Sequence, residues 1–156
     1  MQAIVHDRYG SPDTLRLREL ATPAIGPDEV LIRTSAASLH PGDLFAVLGS
    51  PFLVRLATGL RRPRHGVPGF DVAGTVEAVG TAVTHLRPGD EVFGVGNGTC
   101  AELVRATADV VLAKPASIGF EEAAAIPTSA LAALHGLRDA GGLSRDVIEI
   151  VDRALA

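Results

Sequence analysis

Three stretches of the chain carry residue types that could do chemistry. Gly96-Asn97-Gly98-Thr99-Cys100-Ala101 satisfies the pattern G-x-G-x-x-[GA], in which glycines let a backbone approach a pyrophosphate closely. That use requires the loop to open a helix, so that the helix N-terminus faces the phosphate charge. Here the loop precedes Glu102-Leu103-Val104, which reads as a strand, so the match is assigned to a turn between strands. Arg55, Arg61, Arg62 and Arg64 form a basic run; an anion site is one reading and a solvated charged face the other, favoured by the usual behaviour of charge runs. Cys100 is the single cysteine, which excludes an internal disulfide and a thiolate zinc cluster. Its simplest reading is a small buried apolar side chain.

The elements that must position these residues follow from composition and punctuation. The chain has 156 residues, 47% of them hydrophobic and 21% charged, enough apolar material for one core and too much for wholesale disorder. With 18 acidic against 14 basic residues, the net charge of −4 makes a nucleic acid or an anionic membrane a poor partner. The N-terminus lacks the basic start and apolar stretch of a secretory signal, and no apolar run approaches the ~18 residues that span a bilayer. The expected setting is cytoplasmic.

Strands are expected at 2–6, 14–20, 29–38, 71–79, 91–93, 101–107 and 110–113, because short alternating apolar runs lie between Gly, Pro and Asp clusters. So many short strands in 113 residues suggest a closed or half-closed barrel. Pro41-Gly42-Asp43 opens a short helix through Val47, stopped by Gly49 and Pro51. Residues 52–66 take no clear assignment. From Phe120 Ala and Leu dominate, and a helix begins with Ser117 as its cap and Glu121 and Glu122 in its first turn. Pro127 kinks or restarts it. Leu131, Leu134 and Leu137 form one apolar stripe, Gly141-Gly142 end the helix, and 144–156 read as a last amphipathic helix. Gly74 inside a strand marks a bulge or a close backbone approach. Gly80 and Gly89 supply turns with positive φ, Pro88-Gly89-Asp90 suiting a type II turn. His6, His65, His85 and His135 fall in turns or on helix surfaces, as structural or solvated residues.

The succession Ala36-Ala37-Ser38-Leu39-His40-Pro41-Gly42-Asp43, Pro68-Gly69-Phe70-Asp71-Val72-Ala73-Gly74-Thr75-Val76, Val79-Gly80, Arg87-Pro88-Gly89-Asp90-Glu91-Val92-Phe93-Gly94, Ala101-Glu102, Lys114-Pro115 and Glu121-Glu122-Ala123-Ala124-Ala125-Ile126-Pro127 resembles the N-terminal, GroES-like catalytic domain of medium-chain dehydrogenases/reductases. Within them it is most similar to the zinc-independent quinone oxidoreductase and NAD(P)-dependent alcohol dehydrogenase-like branch. The resemblance covers residues 1 to about 138. It implies a mainly β fold with α, a partly open GroES-like barrel over 1–119, and C-terminal helices over 120–156 leading toward a cofactor domain.

In such enzymes a hydride passes between NADPH or NADH and a carbonyl, quinone or activated alkene. The Rossmann-type domain that would hold the dinucleotide is absent from these residues, so the resemblance implies a substrate-side domain with little or no turnover alone. Zinc-dependent relatives place a Cys where His40 stands and a His where Phe70 stands. His40 and Asp71 alone make too small a ligand set, so no zinc is expected. Zinc-independent relatives commonly carry Asn at position 40. His40 is either a donor to a substrate oxygen, as hydrogen bond or proton, or an ordinary barrel-rim histidine. Asp43 either orients His40 or caps the helix that starts at Pro41. The resemblance places Tyr9 and Phe70 near the substrate. The relatives' Thr-Ala pair near the nicotinamide is here Ala132-Ala133, which lacks the hydroxyl, and Thr128 and Ser129, about one turn earlier, are the cofactor-side candidates. The alternative is a non-enzymatic binding module, dimerised through the exposed apolar joint at 120–137.

Overall fold

The computed structural model describes residues 1–64 and 66–140, and among these the seven strands come in the expected order. They are β1 (Gln2–Val5), β2 (Arg16–Glu19), β3 (Glu29–Ser38), β4 (Asp71–Val79), β5 (Glu91–Val95), β6 (Leu103–Thr107) and β7 (Val111–Ala113). Four helices join them: α1 (Pro41–Leu48), α2 (Val54–Thr58), α3 (Phe120–Ala124) and α4 (Pro127–Leu134), the last running into a π-helical turn over His135–Ala140. Five strands form one antiparallel sheet in the order β6-β3-β4-β5-β7. The sheet stays open, so the fold is a partly open barrel. β1 and β2 pair separately and lean on β6 through the Ala3–Ala101 bridge.

The centre of the sheet is where the alternation was clearest. Val30, Ile32, Val72, Val76, Val92, Val104 and Val111 pack into one core with Leu86. A second layer forms where Ala123 and Ala124 of α3 press on Ala73, flanked by Phe93 and Phe120. Small residues here let the helix approach the sheet closely. Gly74 is a close approach: a Cβ there would overlap the Arg33 carbonyl, beside a register shift between β3 and β4. Gly89 has φ +96° and closes its turn with an Asp90 N–H to Arg87 C=O bond of 3.1 Å.

Several expectations need correction. Gly80 does not take positive φ; it is required because a Cβ would overlap the Gly26 and Pro27 carbonyls. The second strand starts at Arg16, since Pro12–Thr14 form a 3₁₀ turn capped by Ser11. The cap of α3 is Gly119, whose N–H donates to Glu122 Oε2 at 2.9 Å, and Ser117 plays no such part. Residues 52–66 contain α2. Pro127 restarts the helix, being the first residue of α4. The Leu131, Leu134 and Leu137 stripe needs no correction: it is exposed at 48%, 36% and 44%, in keeping with an exposed apolar joint. His6 is buried, not solvated, because the chain past β1 continues against residue 66, with the His6 N–H bonded to Gly66 C=O at 2.7 Å. The expected Gly141-Gly142 stop, the helix at 144–156 and His65 lie outside the described residues.

Candidate functional site

The junction of β3 and α1 builds the site. β3 delivers the chain to His40, which has extended backbone (φ −126°, ψ 170°) and caps α1. Its Nδ1 accepts from the Gly42 N–H at 3.0 Å, while its own N–H donates to Asp43 Oδ2 at 2.8 Å. This reciprocal capping box satisfies two N–H groups that an open helix end leaves unpaired. The imidazole and Asp43 are thus both fixed by the local sequence His-Pro-Gly-Asp, and Asp43 caps as well as neighbours the ring. The His40 Nε2 to Asp43 Oδ2 distance of 3.6 Å is too long for a hydrogen bond.

That geometry sets the tautomer of His40. A ring nitrogen that accepts carries no proton, so the neutral imidazole holds its proton on Nε2. Nε2–H is then a free donor. Nε2–H can polarise an oxygen as a hydrogen-bond donor. Phe70 stacks on it with ring centroids 5.6 Å apart and planes 16° from parallel.

Two cavities flank this pair. The larger, about 660 Å³, is lined mostly by apolar groups: Ile4, Leu15, Leu17, Leu39, Leu44 and Val47, with His40, Asp43 and Cys100. The smaller, about 290 Å³, lies behind it and includes Phe70, Gly69, Ala57, His6 and again Asp43. Asp43 and Pro68 therefore form the wall between them. Asp43 is 3% exposed, and its Oδ1 has no partner. Cys100 is half-buried, and burial, then the nearby Asp43 carboxylate, pushes its thiol pKa up, which keeps it protonated and unreactive.

The other anticipated residues lie elsewhere. Tyr9 lines neither cavity; its hydroxyl bonds Thr58 Oγ1 at 2.7 Å and the Gly59 carbonyl, and Arg55 lies 4.7 Å above its ring. Arg55 also donates to Gly49 C=O at 2.8 Å, so one member of the basic run braces α1 against α2. Thr128 lies at the start of α4, where its Oγ1 donates to Asp71 Oδ1 at 2.6 Å and its N–H to Asp71 Oδ2 at 3.3 Å. Ser129 beside it is exposed. Sequence reasoning missed two participants. Asp71 is a buried carboxylate that ties β4 to α4, and His6 walls the inner cavity. No local signal marks either, since both roles arise from segments more than 50 residues away.

The 96–101 loop folds back on β4: Gly98 and Thr99 N–H groups bond Gly69 C=O, and the chain runs into the Ala101 bridge and β6. It opens no helix, so this loop is a turn between strands and not the helix-opening turn that its pattern matches. Among the described residues no three His, Cys, Asp or Glu side chains converge on a metal position. No described helix is long and apolar enough to cross a membrane.

Comparison with known proteins agrees with this fold. The chain is 38% identical over 152 residues to a 2-methylene-furan-3-one reductase of Solanum lycopersicum, covering 90% of this chain and 38% of that protein. It is 34% identical over 148 residues to an NADPH-dependent alkenal/one oxidoreductase of Arabidopsis thaliana, covering 88% and 37%. The solved quinone oxidoreductase from Coxiella burnetii superposes with a TM-score of 0.80 at 34% identity, covering 90% of this chain and 45% of that one. The chain thus spans about two fifths of the length of such relatives. Residues 26–136 match the alcohol dehydrogenase GroES-like domain, and the chain belongs to that family, among the quinone oxidoreductase-like medium-chain dehydrogenases/reductases.

Proposed function

We propose that this chain is the substrate-side domain of an NAD(P)H-dependent oxidoreductase acting on quinones or conjugated carbonyls. The observation that carries the reading is the free Nε2–H of His40 at the edge of an apolar cavity of about 660 Å³. A flat apolar substrate fits those walls, and a carbonyl oxygen fits that donor. Negative charge develops on such an oxygen during reduction, and a donor already aimed at it lowers the barrier. Phe70 holds the ring from behind, and Asp43 holds the backbone that carries it.

A reduced nicotinamide, when bound, supplies the hydride. Thr128 and Ser129 at the start of α4 are the residues of this chain proposed to meet that end of the cofactor, and Tyr9 is proposed to brace the substrate side through α2. The pyrophosphate needs a dinucleotide-binding domain that the described residues do not contain, and the helical segment from Phe120 is the proposed lead into it. No zinc enters this reading, since Phe70 occupies a position where zinc-dependent relatives hold a ligand.

The test uses the chain with menadione, a naphthoquinone. Saturable shifts of His40, Leu44, Val47 and Cys100 resonances are expected, with no saturable NADPH oxidation. Absence of saturable menadione binding overturns the substrate reading. Robust, saturable NADPH oxidation by the 156-residue chain overturns the need for a second domain.

A second reading rests on a different observation. Ile126, Leu131, Leu134 and Leu137 are exposed together on the helical side, a surface suited to self-association. Light scattering after size exclusion decides it, and a monodisperse monomer at every concentration removes it.

A further inference from the structure

The 18 acidic residues of this chain are unevenly placed: none falls between Asp43 and Asp71, a stretch that carries Arg55, Arg61, Arg62 and Arg64. The net charge of −4 argues against an anionic partner for the chain as a whole, and this stretch is the local exception. Its surface is also apolar. Phe52, Leu53, Leu56 and Leu60 are each more than half exposed. Single exposed apolar side chains are ordinary, but four so close in sequence on and around one helix form a patch. The inner side of α2 is pinned: the Tyr9 hydroxyl bonds Thr58 Oγ1 and Gly59 C=O, and Arg55 donates to Gly49 C=O. The chain then coils back on α2. The Arg64 N–H donates to Thr58 C=O at 2.8 Å, and Gly59 takes φ +126°, where a Cβ would overlap the Arg62 carbonyl. That return sets Arg62 and Arg64 beside the end of the helix. Among the described residues, Arg61, Arg62 and Arg64 form no ion pair. Asp7, which shares an open recess with Arg62 and Arg64, is already bound to Arg18 at 2.8 Å.

We propose that residues 52–64 dock this domain on the surface of an anionic bilayer, the four apolar side chains entering between headgroups and Arg61, Arg62 and Arg64 meeting lipid phosphates. A charge run alone is a solvated face, and an apolar patch alone fits any apolar partner. Together they fit a surface that is anionic outside and apolar just beneath. Each guanidinium can bind a phosphate with two parallel hydrogen bonds, and three on one short return add their attraction. The acidic remainder of the chain is repelled by the same surface, which turns α2 toward it. Contact stays at the interface, since no described helix is long and apolar enough to cross a membrane. A joint to a further domain would cover the leucines but gives no reason for three unpaired guanidinium groups beside them. This docking is independent of the substrate reading and stands without it.

The test is co-sedimentation of the chain with vesicles of phosphatidylcholine alone, or of equal parts phosphatidylcholine and phosphatidylglycerol. Binding is expected on the mixed vesicles, absent on the neutral ones and weakened by molar salt. The triple variant Arg61→Gln, Arg62→Gln, Arg64→Gln is expected to bind roughly a hundredfold more weakly, at about fivefold for each arginine. Leu53→Gln with Leu56→Gln keeps good helix formers and is expected to weaken binding about tenfold. Circular dichroism checks the fold of both, and if one does not fold the other decides. Leu112→Gln, an exposed leucine on β7, is expected to change nothing. No binding to mixed vesicles, equal binding to neutral ones, or undiminished binding in either folded variant overturns the proposal. An equal loss in Leu112→Gln overturns it too, by showing general apolar adhesion. A concentration-dependent mass in light scattering that the arginine variant abolishes, with vesicles ignored, gives the face to a second copy of the chain instead.

Discussion

The sheet core and the cavity rim are built by opposite rules. In the core, Val30, Ile32, Val72 and Val92 are fully buried branched side chains, locked by neighbours on every side. At the rim, Leu39, Leu44 and Phe45 are exposed at 68%, 45% and 45%, and order comes from polar bonds instead: the His40–Asp43 box and Arg55 on Gly49. Apolar burial sets stability because it scales with area removed from water. Directional bonds set geometry, because each works only at one distance and angle. The contrast teaches that this domain separates the two duties, and variants on either side of it are expected to report different quantities.

The largest effect belongs to the core. Ile32→Ala leaves a cavity between β4 and β6 and is expected to cost about 2–5 kcal/mol in urea unfolding, without changing menadione affinity in the remaining folded protein. A loss well below that range would show that the sheet relaxes and that the contrast is overdrawn. Thr128→Val comes next. It strips a 2.6 Å donor from the buried Asp71 carboxylate and is expected to cost about 1–3 kcal/mol by the same measurement. No loss would mean that the carboxylate finds another partner and that α4 is not held by it.

At the rim the readout changes from stability to binding. His40→Leu removes the Nε2–H donor, so menadione should bind more weakly by about 1 kcal/mol, roughly fivefold. Unchanged affinity with intact fold would remove the donor from the site. His6 gives a pH signature. Its folded pKa is depressed by burial, so the neutral form is the one the fold prefers. The unfolded chain takes up a proton first as pH falls past about 6.5. The contribution is therefore fully present above that value and is lost progressively below it. Urea midpoints at pH 8 and pH 5.5 should diverge less in His6→Gln than in the unmodified chain, and equal divergence would place His6 in contact with solvent.

Much of the core was legible in the sequence, and little of the rim was. β3 and β4 announce themselves by alternation between Gly and Pro clusters, and the start of α1 by Pro-Gly-Asp, because both depend on neighbours within a few residues. The Leu131, Leu134 and Leu137 stripe had the same periodicity but lies open, since periodicity shows which face is apolar and not whether anything covers it. His6 on the cavity wall, Tyr9 on α2 and Thr128 on Asp71 depend on segments 49 to 60 positions apart in the chain, so no local pattern foretells them. The donor role proposed for His40 needed the Gly42 N–H in place before the tautomer could be assigned.

The smallest effect makes the sharpest use of the contrast. Leu131 is apolar like Ile32 but 48% exposed, so its transfer to water on unfolding is small. Leu131→Gln keeps a good helix former on α4 and is expected to change stability by no more than about 0.5 kcal/mol. A loss of the size seen in the core would show that the face is covered in solution, and only another copy of the chain is present to cover it. Light scattering on the same variant then separates the cases. A concentration-dependent mass that falls to the monomer on substitution assigns the lost stability to self-association, whereas a monomer before and after leaves the exposed stripe as surface and returns all of the stability to the sheet.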